Sequence, residues 1–156
     1  MKFTTLDGQE RGVTTDTLMI WDGEVPVGIA SIMGGLDSEI VDDTTSLTLE
    51  SANFDAVSVR KSSSRLSHRT DASMRYEKSL DPEMTTVAAA RFVKLLMDHD
   101  AGVKVTSSLT DEYIKKFDKV TLDFDKKFVD RYTGIEISND TIVKTLTSLG
   151  FGVKLD

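Results

Sequence analysis

The sequence predicts an α+β fold, on three observations. Strand and hairpin patterns fill residues 1–50. Helical spacing with clear start and stop signals runs from Asp81 to Gly102. A second helical pair follows a charged stretch at 110–119. The expected architecture is a mixed-sheet portion followed by a small strand-helix-helix-strand unit, with one domain over 1–110, a linker over 111–119 and a second domain over 120–156. At 156 residues, 39% hydrophobic and 29% charged, the chain has enough apolar material for a core.

Each element has a local reason. Thr17 to Trp21 and Val25 to Met33 read as strands, and Asp22-Gly23 between them is a strong hairpin signal. Pro26 is tolerated at a strand start, and Gly34-Gly35 ends the second run. Leu47 and Leu49 alternate with Thr48 and Glu50, which predicts a third strand. Residues 54–67 predict a short helix with Asp55 as N-cap and a thin apolar face of Val57, Val59 and Leu66. The serines 62–64 weaken it by competing for backbone hydrogen bonds. Asp81, Pro82 and Glu83 suit the start of a stronger helix. Its apolar residues Met84, Val87, Ala88, Phe92, Leu95 and Leu96 predict a core face, and Gly102 a stop. Val103 to Val105 and Val120 to Phe124 predict strands. Asp125 to Tyr132 predicts a helix ended by Gly134. Ser138-Asn139-Asp140 starts another, with Ile142, Val143, Leu146 and Leu149 inward, and Phe151 to Leu155 predicts a closing strand.

Composition narrows the chemistry. With no cysteine, disulfides, thiolate metal sites and a cysteine nucleophile are excluded. With only His68 and His99, a multi-histidine zinc site is not expected. No apolar run approaches the roughly 20 residues of a membrane span, and no signal-peptide core opens the chain. A cytoplasmic location without membrane contact is expected. The net charge of −7 argues against a nucleic-acid binder, but its distribution is uneven. Six basic residues (Arg60, Lys61, Arg65, Arg69, Arg75 and Lys78) face only Asp71 and Glu77 in one stretch. That gives a local +4 and leaves −11 for the rest. Such an island either meets a phosphate backbone or is a solvated helix face, and charge alone favours the latter.

Four places could carry chemistry. Gly34-Gly35 follows a strand and either lets a ligand approach the backbone or simply ends the strand. Glu50, at a strand end among small and apolar neighbours, either accepts a hydrogen bond from a substrate hydroxyl or is a surface glutamate, the plainer reading. Arg69 to Pro82 lacks periodicity and reads as a loop, where function often sits. In it Thr70 and Ser73 could position a water or a ribose hydroxyl, while Asp71 and Arg75 read as structural. His68 is either a general base or part of the basic island, and the second is preferred. No P-loop, Rossmann fingerprint or Ser-His-Asp arrangement appears.

The motif order goes further. Thr5-Leu6-Asp7-Gly8-Gln9-Glu10-Arg11, Ile32-Met33-Gly34-Gly35, Leu49-Glu50-Ser51-Ala52-Asn53-Phe54 and Arg69 to Pro82 resemble, in order, four elements of the editing domain of bacterial phenylalanyl-tRNA synthetase β chains. The run Phe128 to Val153 resembles the start of the next β-chain domain, whose fold is related to small DNA-binding domains. The resemblance implies a chain that starts inside the editing domain and ends inside that nucleic-acid-binding-like domain. It implies hydrolysis of tyrosine mischarged onto phenylalanine tRNA, without a metal or covalent nucleophile. Glu50 would accept the tyrosine hydroxyl, Gly34 would give room against the backbone, and Thr70 and Ala72 would line the pocket near the ester. The implied partners are phenylalanine tRNA and a synthetase α chain in an α2β2 assembly. ATP and magnesium belong to the whole enzyme, and no cofactor to this chain. From charge, Arg60, Lys61, Arg65 and Arg69 are expected near the incoming tRNA end. The alternative is a non-catalytic structural or RNA-binding module.

Overall fold

Two short antiparallel ribbons organise the first half of the protein. In the computed structural model, which describes residues 1–154, Lys2–Thr4 (β1) pairs with Glu10–Gly12 (β2). Met19–Trp21 (β3), Pro26–Ile29 (β4) and Met33–Gly34 (β5) form a second sheet in the order β3-β4-β5. An isolated bridge from Thr5 to Gly35 links the two. Among the described residues every pairing is antiparallel, so the mixed sheet expected from the sequence is not what forms. The chain divides into two compact units, Met1–Ser108 and Leu109–Asp156.

In the first unit, the Asp22-Gly23 turn joins β3 to β4 as predicted. Asp22 accepts from the Glu24 and Val25 N–H groups (2.9 and 2.8 Å), and Gly23 takes φ +116°. The predicted Val25–Met33 strand is broken after Ile29 by a tight turn with Ser31 at φ +53°. The turn returns the chain antiparallel, with Met33 opposite Ile29. Phe3, Val13, Ile29 and Ile32 make the buried core cluster, with Met19, Met33 and Leu66 packed against it. Gly35 is fixed by this packing, since a Cβ there would lie 2.7 Å from the Phe3 ring and 3.0 Å from the Val27 carbonyl oxygen.

Helix α1, Ala56–Arg65, forms where predicted, and Asp55 caps it by accepting from the Ser58 N–H (2.7 Å). It ends in a Schellman arrangement. The His68 N–H bonds the Ser63 carbonyl, the Ser67 N–H bonds the Ser64 carbonyl, and Ser67 takes φ +48° where glycine is usual. Its Val59 is buried, a contribution of about 1.5–3 kcal/mol.

Five expectations fail in this unit. Leu47 to Glu50 and Val103 to Val105 are not strands, because no neighbouring segment pairs with them. Arg69 to Pro82 is not an irregular loop, because it contains helix α2, Asp71–Tyr76. Helix α3, Met84–His99, starts later than Asp81 suggested. Asp81 instead shapes the preceding turn by accepting from the Glu83 N–H (3.0 Å). Nor is α3 core, since it holds no buried residue. Its half-covered stripe is Thr85, Ala89, Val93 and Leu96, while Met84, Val87, Ala88, Phe92 and Leu95 are exposed. The turn after the helix is made by Asp100, which accepts from the Gly102 N–H (2.7 Å).

The second unit has helices α4, Lys126–Thr133, and α5, Asn139–Ser148. Asp125 caps α4, Gly134 ends it at φ +76°, and Ser138 caps α5, all as the sequence signals. Asp130 accepts from Lys126 and from the Ile137 N–H (3.0 Å), joining the end of α4 to the start of α5. These bonds hold its carboxyl below the ordinary value, the Lys126 contact most. The flanking strands do not form. Val120 to Phe124 and residues 151–154 are irregular, and the last residue of that second prediction, Leu155, lies outside the described residues. Ile142, Val143 and Leu146 are half-buried, but Leu149 is exposed. No helix among the described residues is long and apolar enough to cross a membrane.

Candidate functional site

Thr70 is the most constrained of the expected pocket residues. Its extended backbone lets its side chain cap α2 by accepting from the Ser73 N–H (3.2 Å), while the Ser73 hydroxyl accepts from the Thr70 N–H (2.9 Å). This is a capping box with serine in the usual Glu/Gln place. The Thr70 hydroxyl also donates to the Ile32 carbonyl (2.9 Å). With its proton committed there, Thr70 can meet a further group only as an acceptor. The same bond brings α2 onto the turn between β4 and β5, two residues from Gly34. Ala72, on the first turn of α2, is half-buried.

Gly34 has ordinary backbone geometry, and a Cβ there would meet Leu6 Cδ1 at 3.2 Å. Leu6 is held in place by its own N–H, which donates to the Gly34 carbonyl (3.1 Å). The loop carrying Leu6 is closed by a polar network. The buried Thr5 hydroxyl donates to Asp7 (2.6 Å) and accepts from Arg11 Nε (2.9 Å), and Arg11 pairs with Asp7 (2.5 Å). These contacts, the Thr5 bond foremost, hold the Asp7 carboxyl below its ordinary value.

Glu50 stands on an extended segment pinned from behind. Ser51 donates to the Thr85 carbonyl (2.7 Å), Asn53 to the Leu80 carbonyl (2.8 Å), and Phe54 packs on Tyr76 with ring centroids 5.6 Å apart. The Glu50 side chain is solvent-accessible, yet neighbouring protein strips enough hydration to push its carboxyl above the ordinary 4.5. Among the described residues it has no hydrogen-bond or ion-pair partner. The structure thus brings Thr70 to the strand that carries Gly34, while no hydrogen bond or ion pair joins Glu50 to Gly34, Thr70 or Ala72. Asp71 and Arg75 form no ion pair with each other. Asp71 occupies the first turn of α2 and Arg75 the last, each favourable to the helix dipole.

The basic island gathers around α1. Two open concavities, about 550 and 500 Å³, flank the helix and share Arg60, Ser64 and Glu77. Arg69, Lys78 and His68 line the first, and Lys61 and Arg65 the second. Arg69 pairs with Glu77 (2.5 Å), and Arg65 reaches Thr14 (2.8 Å) and Asp16 (3.5 Å). Glu77 and the hydroxyls of Ser63, Ser64 and Ser67 were not singled out from the sequence. The serine run was the available signal, read only as a helix weakener. Ser62 Oγ and His68 Nε2 are buried without a hydrogen-bond partner among the described residues. Among the described residues no cluster of three potential metal ligands forms.

The family model of the B3/4 domain matches residues 1–101. The chain belongs to the B3/4 domain family. Similarity continues beyond this B3/4 domain. The chain is 40% identical over 148 residues to the phenylalanine–tRNA ligase beta subunit of Clostridium acetobutylicum, covering 95% of this chain and 19% of that protein. It is 39% identical over 154 residues to that of Carboxydothermus hydrogenoformans (99% and 19%) and 37% over 152 residues to that of Salinibacter ruber (97% and 18%). The B3/4 domain and the residues after it therefore span about a fifth of the length of these relatives. The synthetase β-chain resemblance read from the four motifs holds.

Proposed function

We propose that this chain contributes the hydroxyl-reading half of an editing pocket that hydrolyses tyrosine mischarged onto phenylalanine tRNA, within a phenylalanine–tRNA ligase β subunit. The observation that carries the reading is Glu50, a partly desolvated carboxylate with no partner among the described residues, on a segment pinned at Ser51 and Asn53. Phenylalanine and tyrosine differ by one hydroxyl, and an apolar synthetic pocket rejects an added hydroxyl poorly. A carboxylate that a tyrosine hydroxyl satisfies, and a phenylalanine leaves unpaired, supplies the missing discrimination. Thr70, the N-cap of α2, and Ala72, on its first turn, would line the ester side, and Gly34 would give room against the backbone. A positioned water attacks the ester carbon, the bond to the ribose oxygen breaks, and tyrosine and tRNA leave. The whole assembly would be α2β2, cytoplasmic, and dependent on ATP and magnesium at a synthetic site on the partner α chain.

The test is tyrosyl-tRNA hydrolysis by the complete ligase carrying Glu50→Ala. Losing a charged acceptor of one hydroxyl slows clearance roughly ten- to hundred-fold, while phenylalanine charging is unchanged. Clearance at the parent rate would end this role for Glu50. A second reading is a non-catalytic structural or RNA-binding module, in which the basic lining of the two concavities along α1 is the working surface. On that reading the ligase keeps its rate of hydrolysis on any substitution at Glu50, Thr70 or Ala72, and the isolated chain shows no hydrolysis whichever of them is changed. The isolated chain is expected to be inactive on either reading.

A further inference from the structure

We propose that the two concavities along α1 form one track for the sugar–phosphate backbone of RNA, with Arg60 serving both halves and Glu77 acting as an internal competitor for Arg69. Three observations converge. The lining carries Arg60, Lys61, Arg65, Arg69 and Lys78 against one carboxylate, Glu77, in a chain whose net charge is −7. Cations concentrated in a concave site on an acidic protein are arranged for a local anion. Arg60, Lys61 and Lys78 have no ion-pair partner among the described residues, so no internal carboxylate consumes them. The walls are also strained. Ser67 and Ser79 hold positive φ (+48° and +55°) without being glycine, one on each concavity. Non-glycine residues kept in that region concentrate at binding sites, where the backbone shape is part of the function. Ser63, Ser64 and Ser67 add hydroxyls suited to phosphate oxygens.

Glu77 gives the track its setting. Its side chain is 16% exposed while that of Arg69 is 63% exposed, so the guanidinium is the member of the pair open to an incoming phosphate. A phosphate entering the first concavity takes Arg69 from Glu77. The RNA class rests on the proposed editing function, but the charge and shape of the track do not.

The experiment is binding of an uncharged tRNA transcript to the chain, followed by fluorescence anisotropy across a salt series, which needs no hydrolysis. Arg60→Ala should weaken binding several-fold and lower the salt slope by about one. Arg60→Lys should keep the slope, and Glu77→Gln should tighten binding a few-fold. Lys94→Ala, on α3 and paired with Asp98, should change nothing. Circular dichroism checks each fold, and Lys61→Ala replaces Arg60→Ala if the latter unfolds. An unchanged slope for the folded variant, or no binding by the parent, overturns the track. Unchanged affinity in Glu77→Gln overturns the competitor. Slowed tyrosyl-tRNA hydrolysis by the complete ligase carrying Glu50→Ala, with the chain's tRNA affinity unchanged by the same substitution, separates failure of this proposal from failure of the editing reading.

Discussion

The Thr5–Asp7–Arg11 network ties the loop between β1 and β2 together with polar side chains. Thr5 is fully buried, and its hydroxyl is used both as donor and as acceptor. The Asp7 carboxyl is held below its ordinary 3.8, so the folded state favours the ion more than the unfolded chain does. That contribution is fully present above 3.8 and lost as pH falls through the lowered folded value. Asp7→Asn should therefore lower the thermal midpoint at pH 7, and the gap from the parent should close in acid. A constant gap from pH 7 down to pH 2 would show that the ion is not what matters. Little of this was legible in the sequence, where the motif could be matched but its internal bonding could not. Glu50 shows the converse. Its place at the end of the alternating Leu47–Glu50 segment was readable, whereas its lack of a partner among the described residues depends on what folds around it.

Among the elements, capping signals were the most legible. Asp55, Asp125 and Ser138 each cap the helix they announce, and Gly134 ends one in the left-handed region. These signals are local, so a few consecutive residues suffice to read them. Helix α2 was missed because six residues are too few to display a period, and its cap uses serine where glutamate is the common sign. The strands at Leu47 to Glu50 and Val120 to Phe124 fail for a different reason. Alternation describes one chain, but a strand exists only with a partner beside it. The end of α1 makes a prediction at this scale. Ser67 sits at φ +48° in a Schellman C′ position that favours glycine. Ser67→Gly should stabilise the protein by about 1 kcal/mol, read as a shifted denaturant midpoint. A loss of stability would mean that its side chain, not the strain, decides the position.

At the scale of the whole molecule, burial is unevenly shared. Among the described residues, every buried apolar one lies between Phe3 and Val59. In the second unit no described residue is buried, and Ile114, Val120 and Tyr132 are over four-fifths exposed. Cooperative protection follows buried contact. Amide hydrogen exchange should therefore be slowest around Ile29 and Ile32 and fast across residues 109–154, with α4 and α5 only modestly protected. Equal protection in both units would contradict this. The fold class was legible because it needs only the presence of both element types. The exposed face of α3 was not, because periodicity tells which residues share a side and not whether anything lies against it.

The contact between Gly35 and Phe3 also bears on how such a chain can change over time. A side chain at position 35 meets the Phe3 ring at 2.7 Å, and the Val27 carbonyl closes the other direction. Two positions 32 residues apart in sequence therefore do not vary independently. Any larger residue at 35 is admissible only after position 3 has shrunk, and shrinking position 3 first opens a cavity in the core. Both single steps lead downhill in stability, so the pair is locked by the order of its own substitutions.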